Sequence, residues 1–149
     1  FTEGVPYSWD TTSKKSKEVV RNQLKTMGRI APYVTAGKDI SNPGALGTLG
    51  MLLEASGMGG FVDIEKVPKP RGVDLLQWLT AYQGCGFVVT CREARTRLVI
   101  DEFARYDITA AVCGNVRKGC TLEIGLEGER EVLFDMSKDT LGCALPQNL

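Results

Sequence analysis

The sequence predicts an α+β fold, an α/β sandwich with helices packed on a mixed sheet, and three observations carry that prediction. Helical and strand patterns alternate through most of the chain, three strand-like segments follow one another at its end, and no internal repeat or low-complexity linker interrupts them. A pure doubly wound repeat is excluded, because the closing strands have no helices between them. At 149 residues the chain is near the usual size of a single domain, and a compact fold of that length buries roughly 68–70% of its extended-chain surface.

The elements follow in order. "FTEGVPYSWD" has no clear period and begins without Met, so residues 1–12 are expected to be a linker cut from a longer polypeptide, with Tyr7 and Trp9 apolar enough to dock on a partner domain. From Ser13 to Ala31, Val20, Leu24, Met27 and Ala31 form one stripe of an amphipathic helix. Pro32 ends it, and "YVTAG" reads as a short strand. Asn42 then supplies a cap with Pro43 at the first helical position, so a second helix is expected from Pro43 to about Ser56, stopped by Gly57 and Gly59. "GFVDI" is a strand, and the prolines of "EKVPKPRG" make a loop. "VDLLQWLTAY" reads as a short helix capped by Asp74, and "GCGFVVTC" as a buried, central-type strand. Leu98, Val99, Ile100, Phe103 and Tyr106 mark a fourth helix. "ITAAVCGNV", "CTLEIGLEG" and "REVLFDM" are the closing strands, so residues 13–137 are expected to form the domain and 138–149 a frayed tail.

Eighteen basic residues balance eighteen acidic ones, so there is no global field to recruit nucleic acid or an anionic membrane. The densest basic run, Lys14, Lys15, Lys17, Arg21, Lys25 and Arg29, lies along the first helix and reads as a solvated face. Arg92, Arg95 and Arg97 read the same way on the fourth helix. No window resembles a membrane span or a signal peptide, so a soluble, cytoplasmic protein is expected. The five cysteines are Cys85, Cys91, Cys113, Cys120 and Cys143; no C-x-x-C pair occurs and there is no His, which removes the usual zinc and iron ligand sets. The first four sit in or beside apolar runs and are expected to be buried thiols. Lack of His also removes the ordinary base of Ser-His and Cys-His catalysis.

The chemistry that remains concentrates in "KDISNPGALGTLGML", Lys38 to Leu52. Each glycine in a helix interior costs about 0.8–1 kcal/mol relative to Ala, so Gly47 and Gly50 must be offset by close packing or by the approach of a ligand. Gly44 falls in the first turn, where free amides and the helix dipole favour an anion. Asn42 acting as an ordinary cap accounts for those amides equally. Asp39 would repel a bare phosphate unless a cation stood between them, and magnesium, a hard ion held by carboxylate and phosphate oxygens, is the natural one. Lys38 either neutralises phosphate or points to water. Asp135 and Asp139 are further candidate carboxylates.

At these residues the sequence resembles the C-terminal domain of the AIR synthase (aminoimidazole ribonucleotide synthetase) superfamily. Its members include thiamine-monophosphate kinase, selenophosphate synthetase, formylglycinamidine ribonucleotide synthetase and a hydrogenase maturation factor. The likeness is clearest over "AGKDISNPGALGTLGMLLEASGMGGFVDIEKVP", Ala36 to Pro68, and continues more loosely through "GCGFVVTC", the Phe103 helix and "ITAAVCGNV". The wording "GKDISNPG" is similar to that of AIR synthase-related proteins, some of them from methanogens. Thiamine-monophosphate kinase has Asp-Gly where this chain has Asn42-Pro43-Gly44, which counts against a thiamine substrate.

The resemblance implies a partly ferredoxin-like C-terminal domain of an ATP-dependent kinase or synthetase, closing over magnesium-bound ATP and a small-molecule acceptor. It implies Asp39 at the metal-bound phosphate, and Lys38, Ser41, Asn42 and Gly44 as phosphate or substrate contacts. It also implies an N-terminal nucleotide-binding domain that supplies most ATP and metal ligands and forms a homodimer, leaving these residues inactive by themselves. The competing expectation is a non-catalytic binding or scaffold domain with the same fold.

Overall fold

A computed structural model describes residues 1–5, 7–83 and 86–142, leaving Cys85, Cys143 and the last residues of the expected tail outside it. In chain order the elements are β1 (Ser8–Trp9), α1 (Lys17–Ile30), β2 (Val34–Asp39), α2 (Gly44–Ala55), β3 (Met58–Asp63), α3 (Leu75–Thr80), β4 (Tyr82–Gln83), β5 (Phe87–Cys91), α4 (Thr96–Ala104), β6 (Gly114–Lys118), β7 (Thr121–Leu126) and β8 (Glu129–Asp135). Single 3-10 turns occupy Ile64–Lys66 and Glu93–Arg95. The fold class is the expected α+β arrangement, with a mixed sheet in the second of two compact units.

The first unit comprises Phe1–Thr48 and Pro68–Ala111. Its core gathers Ile30 of α1 with Val99 and Phe103 of α4, and Met27, Tyr33, Val34, Val89 and Ile108 pack around them. Covering each large apolar side chain contributes roughly 1.5–3 kcal/mol. β2 and β5 form an antiparallel ribbon, so of "GCGFVVTC" Phe87–Cys91 is, among the described residues, a half-buried partner of one strand and not a central strand, while Gly84 and Cys85 lie outside the described residues. β1 pairs in parallel with β4, and the Trp9 ring meets Trp78 edge-on at 5.1 Å. The segment expected to be a linker thus covers Trp9 inside this unit, while Tyr7 remains 54% exposed.

α1 departs from its expected face. Its buried residues are Gln23, Thr26 and Ile30, whereas Leu24 is 50% exposed. The buried side is rotated roughly a quarter turn from the Val20–Leu24 stripe. Hydrophobicity could not reveal this, because the two buried polar groups have partners: Lys15 Nζ donates to Gln23 Oε1 at 3.0 Å, and Thr26 Oγ1 donates to the Asn22 carbonyl at 3.3 Å. A hydrogen-bonded polar group can be buried where an orphaned one cannot.

The second unit comprises Leu49–Val67 and Val112–Leu149. Its four-stranded sheet has the order β6-β3-β7-β8, with β3 parallel to β7 and the other pairs antiparallel. Leu53, Val62, Ile64 and Leu122 are buried in it. "ITAAVCGNV" contributes a strand only from Gly114 onward, and every residue of that edge strand is exposed. Its close approach to β3 needs Gly114, since a Cβ there would stand 1.9 Å from the Phe61 carbonyl oxygen. Cys120 is exposed, against expectation, because it sits in the tight turn between β6 and β7; Cys91 and Cys113 are half-buried. The Cys113 thiol donates to the Lys66 carbonyl, and burial pushes its pKa up.

Candidate functional site at the opening of the glycine helix

β2 delivers the candidate residues to one place in the first unit. Along β2, Val34, Ala36 and Lys38 are half-buried and Thr35, Gly37 and Asp39 exposed, with a register shift between Val34 and Ala36 in the pairing with β5. The Asp39 side chain is 64% exposed, that of Lys38 29%, and Lys38 Nζ lies 3.6 Å from Asp39 Oδ1. Main-chain pairing of Asp39 with Phe87 of β5 fixes where the carboxylate leaves the ribbon.

Between this strand and α2 the chain makes a turn. The Gly44 N–H donates to the Ser41 carbonyl at 2.8 Å, which places Asn42 and Pro43 in the turn itself, so α2 begins at Gly44 and not at Pro43. Asn42 is exposed and Ser41 is half-buried. The Ser41 N–H donates to Thr48 Oγ1 at 3.1 Å, and Thr48 is fully buried. A residue one turn further into the helix thereby ties down the segment that precedes it. Sequence reasoning misses Thr48, whose signal is the single hydroxyl in a helix otherwise apolar up to Glu54.

Gly44 answers the question of why the helix opens on glycine. Its φ is +71°, and a Cβ would stand 2.2 Å from the Leu79 carbonyl oxygen and 2.8 Å from Thr80 Cα. Glycine is required here both by the backbone conformation and by contact with the end of α3. Gly50 serves packing too: a Cβ would meet Phe134 and Leu141 within 3 Å. Because the Gly44 amide is engaged with Ser41, the first-turn amides that helix geometry leaves without an intrahelical acceptor are those of Ala45 and Leu46.

The donor set can then be compared with what magnesium needs. Among the described residues no group of three or more Asp, Glu or Cys side chains is gathered to hold a metal ion. Asp39 is a single accessible carboxylate, which fits a magnesium ion shared with phosphate oxygens and water and does not fit a cage built by this chain alone. Asp135 is engaged elsewhere: it pairs with Lys138 at 2.7 Å and accepts from Ser137, and those partners lower its pKa to about 2. Arg97 is 86% exposed and paired with Asp101, and the Arg95 guanidinium lies over the Tyr33 ring, as solvated helix charges do.

An α+β unit that presents Lys38 and Asp39 at the end of β2 and Ser41 in the connection to α2 defines the class of domain to compare. A family model described as "AIR synthase related protein, C-terminal domain" matches residues 3–127, and the chain belongs to that family. It is 47% identical over 141 residues to "Uncharacterized protein MJ0640" of Methanocaldococcus jannaschii, covering 93% of this chain and 44% of that protein. The chain spans less than half the length of the curated relatives it matches. Among solved structures it is similar to "T. maritima PurL complexed with ATP", with a TM-score of 0.72 and 10% identity over 87% of this chain and 23% of that one. It is also similar to E. coli HypE, "a hydrogenase maturation protein", with a TM-score of 0.60 and 21% identity over 76% of this chain and 38% of that one. Those two likenesses concern the fold. No helix among the described residues is long and apolar enough to cross a membrane.

Proposed function

We propose that this chain is the C-terminal part of an ATP-dependent enzyme, and that residues 38–48 close over magnesium-bound ATP and a small-molecule acceptor. The observation that carries this reading is the exposed Asp39 carboxylate beside Lys38 at the opening of α2, in a family whose fold is shared with a PurL solved with ATP and with ADP. Asp39 contributes one oxygen ligand to the metal–phosphate unit, and the Lys38 ammonium offsets phosphate charge. Ser41 and Asn42 contact the phosphate or the acceptor, while the amides at the start of α2 favour the anion. Gly44 holds the backbone of this opening against α3. Bound magnesium supplies charge neutralisation at the transferred phosphoryl group; the work of the chain is positioning.

The reaction class this reading offers is phosphoryl transfer to an oxygen or selenium acceptor, or activation of an amide or formyl oxygen for ring closure. An N-terminal domain supplies the remaining nucleotide and metal ligands and the dimer contacts. Multi-component assembly has precedent among similar folds, one of which was solved as a "HypE-HypF complex". A cytoplasmic setting goes with the same reading.

A second reading, a non-catalytic binding domain, is favoured by two facts: among the described residues Asp39 belongs to no group of three or more metal-ligating side chains, and the Gly44 amide is already bonded. Calorimetric titration of the longer protein with ATP, with and without magnesium, separates the two. The enzyme reading expects magnesium-dependent binding that weakens about tenfold or more in Asp39→Asn, equivalent to roughly 1.4 kcal/mol. Unchanged affinity contradicts it. The 149 residues alone are expected to show no turnover.

A further inference from the structure

The zero net charge of the chain conceals a division. The first unit holds thirteen Lys and Arg against nine Asp and Glu, and the second holds five against nine. Each excess has a focus. In the first unit a shallow groove of about 780 Å³ runs along α1, lined by Lys15, Lys17, Arg21 and Lys25 together with the apolar Val20 and Leu24. Lys17, Arg21 and Lys25 make no ion pair among the described residues. Leu24 is half exposed because the buried side of α1 lies elsewhere.

In the second unit the β7–β8 hairpin carries Glu127 in its turn and Glu129 and Glu131 at the start of β8, none of them in an ion pair among the described residues. Leu126, paired with Glu129 and therefore on the same face of the hairpin, is 40% exposed, and Val132, on the other face of β8, is 54% exposed. The basic residue between them, Arg130, lies 4.2 Å above the Phe61 ring. The turn is preorganised: Glu127 and Gly128 both have positive φ, and the Glu127 N–H donates to Glu65 Oε2 at 3.2 Å.

We infer that the α1 groove is a docking surface for the β7–β8 turn of a second copy of this chain. The groove offers unpaired cations beside the apolar Val20 and Leu24, and the hairpin offers unpaired carboxylates beside the exposed Leu126, so the two surfaces are complementary in charge and each carries apolar side chains. This surface lies within these 149 residues and is separate from the dimer contacts assigned above to the N-terminal domain. The inference stands independently of the nucleotide reading.

The test is sedimentation of the chain over a concentration series, as wild type, as K17E/R21E/K25E and as E129K/E131K, with circular dichroism confirming that each is folded. Wild-type self-association is expected to weaken as salt rises from about 50 mM to about 500 mM. Each variant alone is expected to associate about tenfold or more weakly, and an equimolar mixture of the two variants is expected to recover association, because the reversed charges again face their opposites. Three results overturn the inference: a wild type that stays monomeric, variants that associate as the wild type does, or a mixture that recovers nothing. Association lost in K17E/R21E/K25E but retained in E129K/E131K also overturns it, since the groove then receives something other than the turn.

Discussion

Three strands of this molecule, β2, β3 and β8, end in aspartate, and two of those carboxylates, Asp63 and Asp39, are treated oppositely. Asp63, at the end of β3, accepts the Glu65 N–H at 3.2 Å and pairs with Lys66 at 2.7 Å. The Lys66 partner, reinforced by the Glu65 amide, lowers the pKa of Asp63. Among the described residues Asp39, at the end of β2, has the Lys38 ammonium as its one ion-pair partner, at 3.6 Å, and keeps 64% of its side chain exposed. A carboxylate whose acceptor positions are filled from within serves the scaffold, whereas one left open has capacity for a ligand. Spacing alone does not separate them, since both follow a short strand and precede a helical turn.

The largest effect that sharpens this contrast is expected at Gly44, because the opening of α2 is held by its backbone and not by Asp39. Gly44→Ala combines positive φ with a contact to the Leu79 carbonyl and is expected to cost about 2–4 kcal/mol in denaturant unfolding. Gly57→Ala, with φ +60° and nothing within 4 Å, is expected to cost about 1 kcal/mol. Equal losses would mean that the contact with α3 is unimportant.

Next in size is Thr48→Val, which leaves the Ser41 N–H without its acceptor and is expected to cost about 1–3 kcal/mol by thermal unfolding. In the longer protein it is also expected to weaken nucleotide binding, because the 41–44 turn loses its tether. Stability unchanged in Thr48→Val would show that the turn is held by other means.

The smallest effect belongs to Asp63 and depends on pH. Its folded pKa lies below the ordinary carboxylate value of 3.8, so its contribution is present above that value and is lost as pH falls through the folded pKa. Lys66 is raised above 10.5 by the same pair, so its share is present below that value and is lost as pH rises through the folded pKa. Asp63→Asn is therefore expected to melt lower than wild type at neutral pH and to converge with it in strong acid. A gap that persists in acid would assign the effect to something other than this pair.

Much of the fold was legible because its signals are local. Asp74 caps α3 as expected, its Oδ1 accepting from the Gln77 N–H at 2.8 Å, and the alternating helices and strands fall close to where the patterns put them. What stayed hidden is decided by partners distant in sequence. Gln23 and Thr26 are buried because they are hydrogen-bonded, β5 is a half-buried strand because it pairs with β2 alone, and Gly44 is needed because α3 presses on it. At the candidate site the residues were legible by type, while the bond that engages the Gly44 amide and the tether from Thr48 follow from a turn geometry that no single residue encodes.

The most direct measurement is a paired titration of the longer protein with ATP at high and low magnesium, comparing Asp39→Asn with Asp63→Asn. The account predicts that Asp39→Asn abolishes most of the gain in affinity that magnesium brings while leaving thermal stability unchanged, and that Asp63→Asn lowers stability while keeping that gain. A magnesium effect of the same size in Asp39→Asn as in wild type would contradict it.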